Sequence, residues 1–403
     1  MKMMIKDKYR PNIHITPKQG WINDPNGFIY FKNEFHLFCQ HNPKDIKWGP
    51  MHWLHFVSKD LIHFKEVGIV MKPDQEYDQE LGCFSGSSIE KDGKMYVLYT
   101  GANYTKQVQC LAISEDGYTF KKYAKNPIID EKNLPNGYLI NDFRDPKVFF
   151  KNNKYYVLLA ARHKDGYSSI LLYSSDDLLN YQFVNVLMNI NDTMVECPDI
   201  IFEGDKCALI YSVSNLKQED DKYQNQFLVA YTVGQLDLNK GIFTPIGEQK
   251  ELDRGFECYA THTLRYLDNN YIINWLYSPG SHYDVHDAKY CGQLTLVKKI
   301  NIVGDSLRMS FLPNVKTEKV QLTSEYLKIN NIEIKVDKAT HKVTVLRNNM
   351  DVSILDGNNK PIVEKYFYLN DVSSIDIEYV MDHSCVEISF QNGEAFFSFL
   401  NFK

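Results

Sequence analysis

One hairpin signal recurs five times along this chain, and it constrains the fold more than any other feature. It appears in "FIYFKNEFHLFCQ" around Asn33, "SSIEKDGKMYVLYTG" around Gly93 and "KVFFKNNKYYVLLAA" around Asn153. It returns in "DIIFEGDKCALIYSV" around Asp205 and "HTLRYLDNNYIINWLYS" around Asn269. Each copy sets Gly, Asn or Asp between two runs rich in Tyr, Phe, Ile and Val, the pattern of two antiparallel strands joined by a tight turn. Successive turns lie 60, 60, 52 and 64 residues apart. That period accommodates one four-stranded unit per repeat, and helical periodicity is nearly absent. Five such units over about 300 residues predict an all-β five-bladed β-propeller over residues 1–313, a ring that leaves only short, protected edges. A β-sandwich of similar strand content is the alternative.

After Pro313 the texture changes. "LKINNIEIKVDKATHKVTVLRNN" and "SSIDIEYVMDHSCVEISFQNGEAFFSFLNF" alternate apolar and polar residues with period two, and "QNGE" reads as a hairpin turn. Residues 318–403 are therefore expected to form a small C-terminal β-sandwich, with "NVKTEKVQLTSE" as the linker.

Composition narrows the partners. Hydrophobic residues make up 44 % of the chain, enough for a sizeable core, and aromatics 13 %, which favours strands and stacking surfaces. The net charge is −6 with no block of like charges, so neither a nucleic-acid groove nor an anionic membrane surface is expected. No stretch approaches the roughly 18 apolar residues of a membrane span. The opening "MKMMIKDKYRPNIHITP" has no apolar core of a secretory signal. The eight cysteines are scattered without a Cys-x-x-Cys pair, as expected of free thiols in a reducing cytoplasm. Oligomeric state leaves no mark on the sequence.

The repeats also bring acids into line. In "GWINDPNGFIYF", Asp24-Pro25 lies nine residues before Asn33; in "NDFRDPKVFF", Asp145-Pro146 lies eight before Asn153; in "VECPDIIF", Glu196 lies nine before Asp205. Asp-Pro and Asn-Gly form turns readily, so "NDPNG" taken alone is only a turn. Glu196 is no turn former, and the shared offset calls for a functional reason. Equivalent places in a propeller converge on its axis, although 172 residues separate Asp24 from Glu196. Three acids in one polar pit repel one another, and burial with repulsion raises the pKa of at least one. A glycosidase needs this: one carboxyl that gives a proton and another that attacks, about 5–5.5 Å apart in a retaining enzyme.

At this point the residues resemble a known family. "RPNIHITPKQGWINDPNGF", "FCQHNPKDIKWGPMHWLHFVSKDLIHF", "GCFSGSS", "FRDP", "ECPD", "RGFECYAT" and "MDHSCVEISFQNGE", in this order, are similar to the blocks of glycoside hydrolase family 32, the β-fructofuranosidases. The resemblance implies a retaining hydrolase that releases fructose from sucrose 6-phosphate or sucrose, without metal or cofactor. Asp24 would be the nucleophile, Glu196 the acid/base and Asp145 the transition-state stabiliser. Asn23, Gln40, Trp48, Phe84, Ser85 and Arg144 would line the fructose site. Three departures stand out: Val195 where the family often has Trp, Leu54 where Gly is common, and a short C-terminal domain. Hydrolysis of fructo-oligosaccharides, fructosyl transfer to a sugar acceptor and a non-catalytic carbohydrate-binding propeller are the rival functions. The pairs His52/His55 and His282/His286 lack a third ligand at zinc-like spacing and are read as structural.

Overall fold

The five hairpins form where the turn residues place them. In a computed structural model that describes residues 8–191, 193–279, 289–348 and 363–402, each repeat closes through a two-residue turn. The first three turns take positive φ at both positions, Lys32-Asn33, Asp92-Gly93 and Asn152-Asn153, which matches the right-handed twist of the flanking strands. The fourth is Gly204-Asp205, with positive φ at Gly204. The fifth falls on Leu267-Asp268, one residue before the expected centre, because Tyr266 pairs with Asn269.

Each hairpin opens a sheet. The opening strands are Gly20–Phe31, Gly82–Lys91, Tyr138–Lys151, Val195–Glu203 and Tyr259–Tyr266, each followed by antiparallel neighbours in chain order. These strands touch one another first to second, second to third, and so on, with the fifth touching the first, so they form a closed cycle. The cycle is stitched where Gly20 and Trp21 pair in parallel with Tyr290 and Cys291. Leu294 N–H also donates to Ile15 O at 3.0 Å. His282 and His286 lie outside the described residues.

A second repeat, outside the hairpins, marks the first three sheets. "SKDLIHF", "SEDGYTF" and "SDDLLNY" follow the third strand of each. Ser58, Ser114 and Ser175 donate to Asp60, Asp116 and Asp177 at 3.0, 3.0 and 2.9 Å. Each aspartate then accepts backbone N–H groups two and three residues on, which turns the chain into the outermost strand.

Strands within residues 318–347 and 364–400 build two four-stranded sheets whose inner faces share one core. Alternation sets those faces: in Ile375–Met381, Ile375, Ile377 and Tyr379 point inward. The junction with the ring of sheets is charged as well as apolar. Arg347, fully buried, grips the equally buried Glu257 with two hydrogen bonds of 2.7 and 2.9 Å, and its guanidinium lies 4.3 Å from the Phe256 ring centre. His14 bridges Asp382 and Glu387, at 3.0 Å from each. Removing one partner of a buried pair strands the other charge, so Arg347→Met should destabilise the chain by about 3–5 kcal/mol. The double variant with Glu257→Gln should recover most of that loss; urea denaturation of both variants measures it. Among the described residues no helix is long and apolar enough to cross a membrane.

Candidate active site

All five opening strands carry a bulge at the same level. Pairing skips between Ile22 and Pro25, Cys83 and Gly86, Arg144 and Lys147, Glu196 and Asp199, and Tyr259 and Thr261. A bulge bends its strand and re-aims the local side chains. Asp145, Cys197 and Ala260 take positive φ there, a strained conformation for residues other than Gly. The acids do not share one position within the bulge: Glu196 ends the regular pairing before it, whereas Asp24 and Asp145 lie inside. Their nearly common offset in the sequence is thus the trace of aligned bulges rather than of aligned side chains.

The bulges surround a cavity of about 1060 Å³. Asn23, Asp24, Gln40, Trp48, Phe84, Arg144, Asp145 and Glu196 all line it. Ser85 sits behind Asp24 and donates to its carboxylate. Every site residue expected from the sequence therefore comes to one place. Val195 and Leu54 are buried; Val195 pairs with Val213 and Leu54 packs in the main core, and neither lines the cavity.

Asp24 is held by donors from three sheets. Asn23 Nδ2 lies 3.0 Å away, Gln40 Nε2 2.9 Å and Cys197 Sγ 3.5 Å, with the Ser85 hydroxyl completing the set. Burial, then the charges of Asp24, Asp145 and Glu196, hold the Cys197 thiol well above its usual range, so it stays an S–H donor. The same residue's backbone N–H donates to Asp145 Oδ2 at 2.8 Å. One residue thus ties two of the acids together and adjoins the third in sequence.

Glu196 accepts from Arg144 Nη2 at 3.2 Å and from the buried Tyr259 hydroxyl at 2.7 Å. Burial opposes the charge of Arg144, but Glu196, Asp142 and Asp145 more than offset it, and the guanidinium is held firmly cationic. Asp145 goes the other way. Burial first, and then the charges of Glu196 and Asp24, push its carboxyl up to about 7 even though Arg144 opposes them.

Below the acids, polar bonds lock neighbouring sheets. Gly86 N–H donates to Asn26 Oδ1 at 3.2 Å, and Ser87 Oγ to Pro146 O at 2.6 Å. The partly buried Lys147 donates to Asp199 at 2.9 Å, and Thr263 N–H to the same carboxylate at 2.8 Å. Asn26 and Lys147 each follow a cavity acid by two residues, so these bonds fix the backbone that aims Asp24 and Asp145. His55 stacks on His36 and Phe38, and no group of three or more His, Cys, Asp or Glu suited to a metal occurs among the described residues.

Sequence reasoning missed Tyr259, Asp142 and Cys197. Tyr259 had a signal: it stands in "FECYATH", the fifth-repeat counterpart of the acid segments. Tyr259→Phe removes one donor from Glu196 at nearly constant volume. It should lower kcat about 10-fold with little change in KM, since a hydrogen bond to a charged group contributes about 1.5–3 kcal/mol. A change under about twofold in steady-state kinetics would dismiss Tyr259 as a positioning residue.

Residues 14–311 match the glycosyl hydrolases family 32 N-terminal domain. The chain is 32 % identical over 330 residues to the sucrose-6-phosphate hydrolase of Zymomonas mobilis, a match that covers 77 % of this chain and 63 % of that relative. The chain thus spans less than two thirds of that relative's length. Its fold is similar to the sucrose-6-phosphate hydrolase of Lactobacillus gasseri, with a TM-score of 0.88 and 27 % identity over 98 % of this chain and 89 % of that one. It is also similar to a mutant GH32 beta-fructofuranosidase of Bombyx mori in complex with sucrose, with a TM-score of 0.86 and 28 % identity over 99 % of this chain and 90 % of that one. With the matched segment covering all five opening strands and every acid of the cavity, the chain belongs to glycosyl hydrolases family 32.

Proposed function

We propose that this chain is a retaining β-fructofuranosidase that hydrolyses sucrose 6-phosphate, and sucrose, to release fructose. One observation carries the reading: Asp24, Asp145 and Glu196 line a single cavity, each with a different set of donors. Asp24, with donors fixed around it, attacks the anomeric carbon of the fructosyl unit and forms a covalent fructosyl-enzyme. Glu196, gripped by Arg144 and Tyr259, gives its proton to the departing glycosidic oxygen and then takes one from the incoming water. Asp145 holds fructose hydroxyls as positive charge develops on the ring. Trp48 and Phe84, in edge contact at 6.1 Å between ring centres, supply an apolar wall. The scheme uses no metal and no cofactor.

We read the closed cycle of sheets over 1–313 as a five-bladed β-propeller, and residues 318–403 as the β-sandwich domain that buttresses it. The support is the cyclic contact of the opening strands and the buried Arg347–Glu257 junction. The eight cysteines, none in a disulfide and seven of them buried, suit a reducing cytoplasm into which the substrate is imported.

Incubation with sucrose and with sucrose 6-phosphate, followed by fructose assay, tests the activity. Fructose should appear from both, first as the β-anomer. Folded protein that releases none from either substrate would defeat the proposal, and α-fructose as first product would defeat the retaining mechanism.

A further inference from the structure

The cavity contains a charge problem that a phosphorylated substrate makes acute. Among the described residues four acids line it: Asp24, Asp142, Asp145 and Glu196. The cations among its described lining residues are Arg144 and Lys47. Arg144 is already committed. It bonds to Asp142, lies 3.2 Å from Glu196 and 3.9 Å from Asp145, and is buried among them. A phosphate dianion brought to the floor of the cavity meets excess negative charge there, and its favourable partner must stand away from the acids.

Lys47 is placed for that. It sits in the loop between strands Glu34–Asn42 and His52–Ser58, one residue before Trp48. It is exposed, lines the cavity, and its ammonium makes no hydrogen bond or ion pair among the described residues. Its backbone, by contrast, is anchored. Asn42 Nδ2 donates to Lys47 O at 2.9 Å, and Lys44 N–H donates to Asn42 Oδ1 at 3.1 Å. Gly49 closes the loop against the same amide, since a Cβ there would lie 2.5 Å from Asn42 Nδ2. A fixed backbone carrying a free, flexible cation at the cavity wall suits recognition of a charged group on a bound sugar.

We propose that Lys47 is the specificity-determining residue for the phosphorylated substrate and pairs with the 6-phosphate of the glucosyl unit while the fructosyl unit occupies the acids. This rests on the reading of the cavity as a β-fructofuranosidase site. Phosphate binding at Lys47 raises kcat/KM for sucrose 6-phosphate over that for sucrose. It also makes the phosphorylated reaction more sensitive to salt, because the pair is exposed to solvent.

The test compares wild type, Lys47→Met and Lys47→Arg on both substrates, at low salt and at 0.5 M NaCl. Lys47→Met keeps much of the apolar stem and removes the charge. The ratio of kcat/KM for sucrose 6-phosphate to that for sucrose should fall about 10-fold or more in Lys47→Met, and Lys47→Arg should restore most of it. The extra salt sensitivity of the phosphorylated substrate should vanish in the Met variant. An unchanged ratio in Lys47→Met, an equal fall for both substrates, or a wild type that does not prefer sucrose 6-phosphate would overturn the assignment while leaving the hydrolase reading intact. A wild type that cleaves neither substrate would remove the reading on which it rests.

Discussion

On the proposed roles, Asp24→Ala and Glu196→Ala should each lower kcat by about 10⁴-fold or more, and they should fail in different ways. Without Asp24, the donors Asn23, Gln40, Ser85 and Cys197 surround a gap, and no group can form the covalent intermediate. Added azide can take the place of the missing nucleophile, and the product is then a fructosyl azide of inverted configuration. Without Glu196, Asp24 still attacks, but the leaving oxygen receives no proton. A fructoside whose leaving group needs no proton should then be cleaved at the first step, and azide should trap the intermediate with retained configuration. Product stereochemistry thus assigns the two roles separately. A loss of less than about 100-fold in either variant would remove that residue from its role.

Asp145→Asn has two expected effects of opposite value. Activity falls about 10²–10³-fold, because a preorganised charge beside the developing cation is lost. Stability rises, and the gain depends on pH. The folded-state carboxyl titrates near 7, whereas an unfolded Asp titrates near 3.9. Between those values the native state holds a proton that the unfolded chain has released, so rising pH erodes stability across the interval. Above about 7 the full cost of a buried charge is present, and below about 4 it is absent. The variant should therefore melt higher than wild type at pH 8 and nearly equally at pH 4. The amide can still accept the Cys197 N–H through its oxygen, so the bulge should survive. Thermal melts at the two pH values decide it: an equal shift at both would mean that the charge of Asp145 is not the cause.

The extent to which this molecule is legible from its sequence depends on how local each feature is. The turns at Asn33, Gly93 and Asn153 were readable because positive φ is a property of the turn residues themselves. The inward faces of the C-terminal strands were readable because side chains alternate along any strand. Asp24, Asp145 and Glu196 were readable through the repeated offset and through the family-like blocks that hold them, not from the local turn taken singly. The aspartate loops at Asp60, Asp116 and Asp177 were equally local and equally repeated, and would have supported the same period independently.

The pair of Glu-Cys dipeptides marks the limit. "VECPD" and "FECYAT" each place a glutamate before a cysteine at the head of a repeat. The offset and the ECPD block single out Glu196, but nothing within either segment says what its glutamate meets. The fold turns Glu196 into the cavity, against Arg144 and Tyr259, and turns Glu257 away to Arg347 in one of the two C-terminal sheets. By itself the sequence determined the hairpins, which follow from residues close together in the chain, and, through their repetition, the period and three of the four acids that line the cavity among the described residues. Only the tertiary structure decided where each acid points and what it meets. In a bulged strand that direction depends on pairing with the next strand, and the donors come from sheets tens to hundreds of residues away.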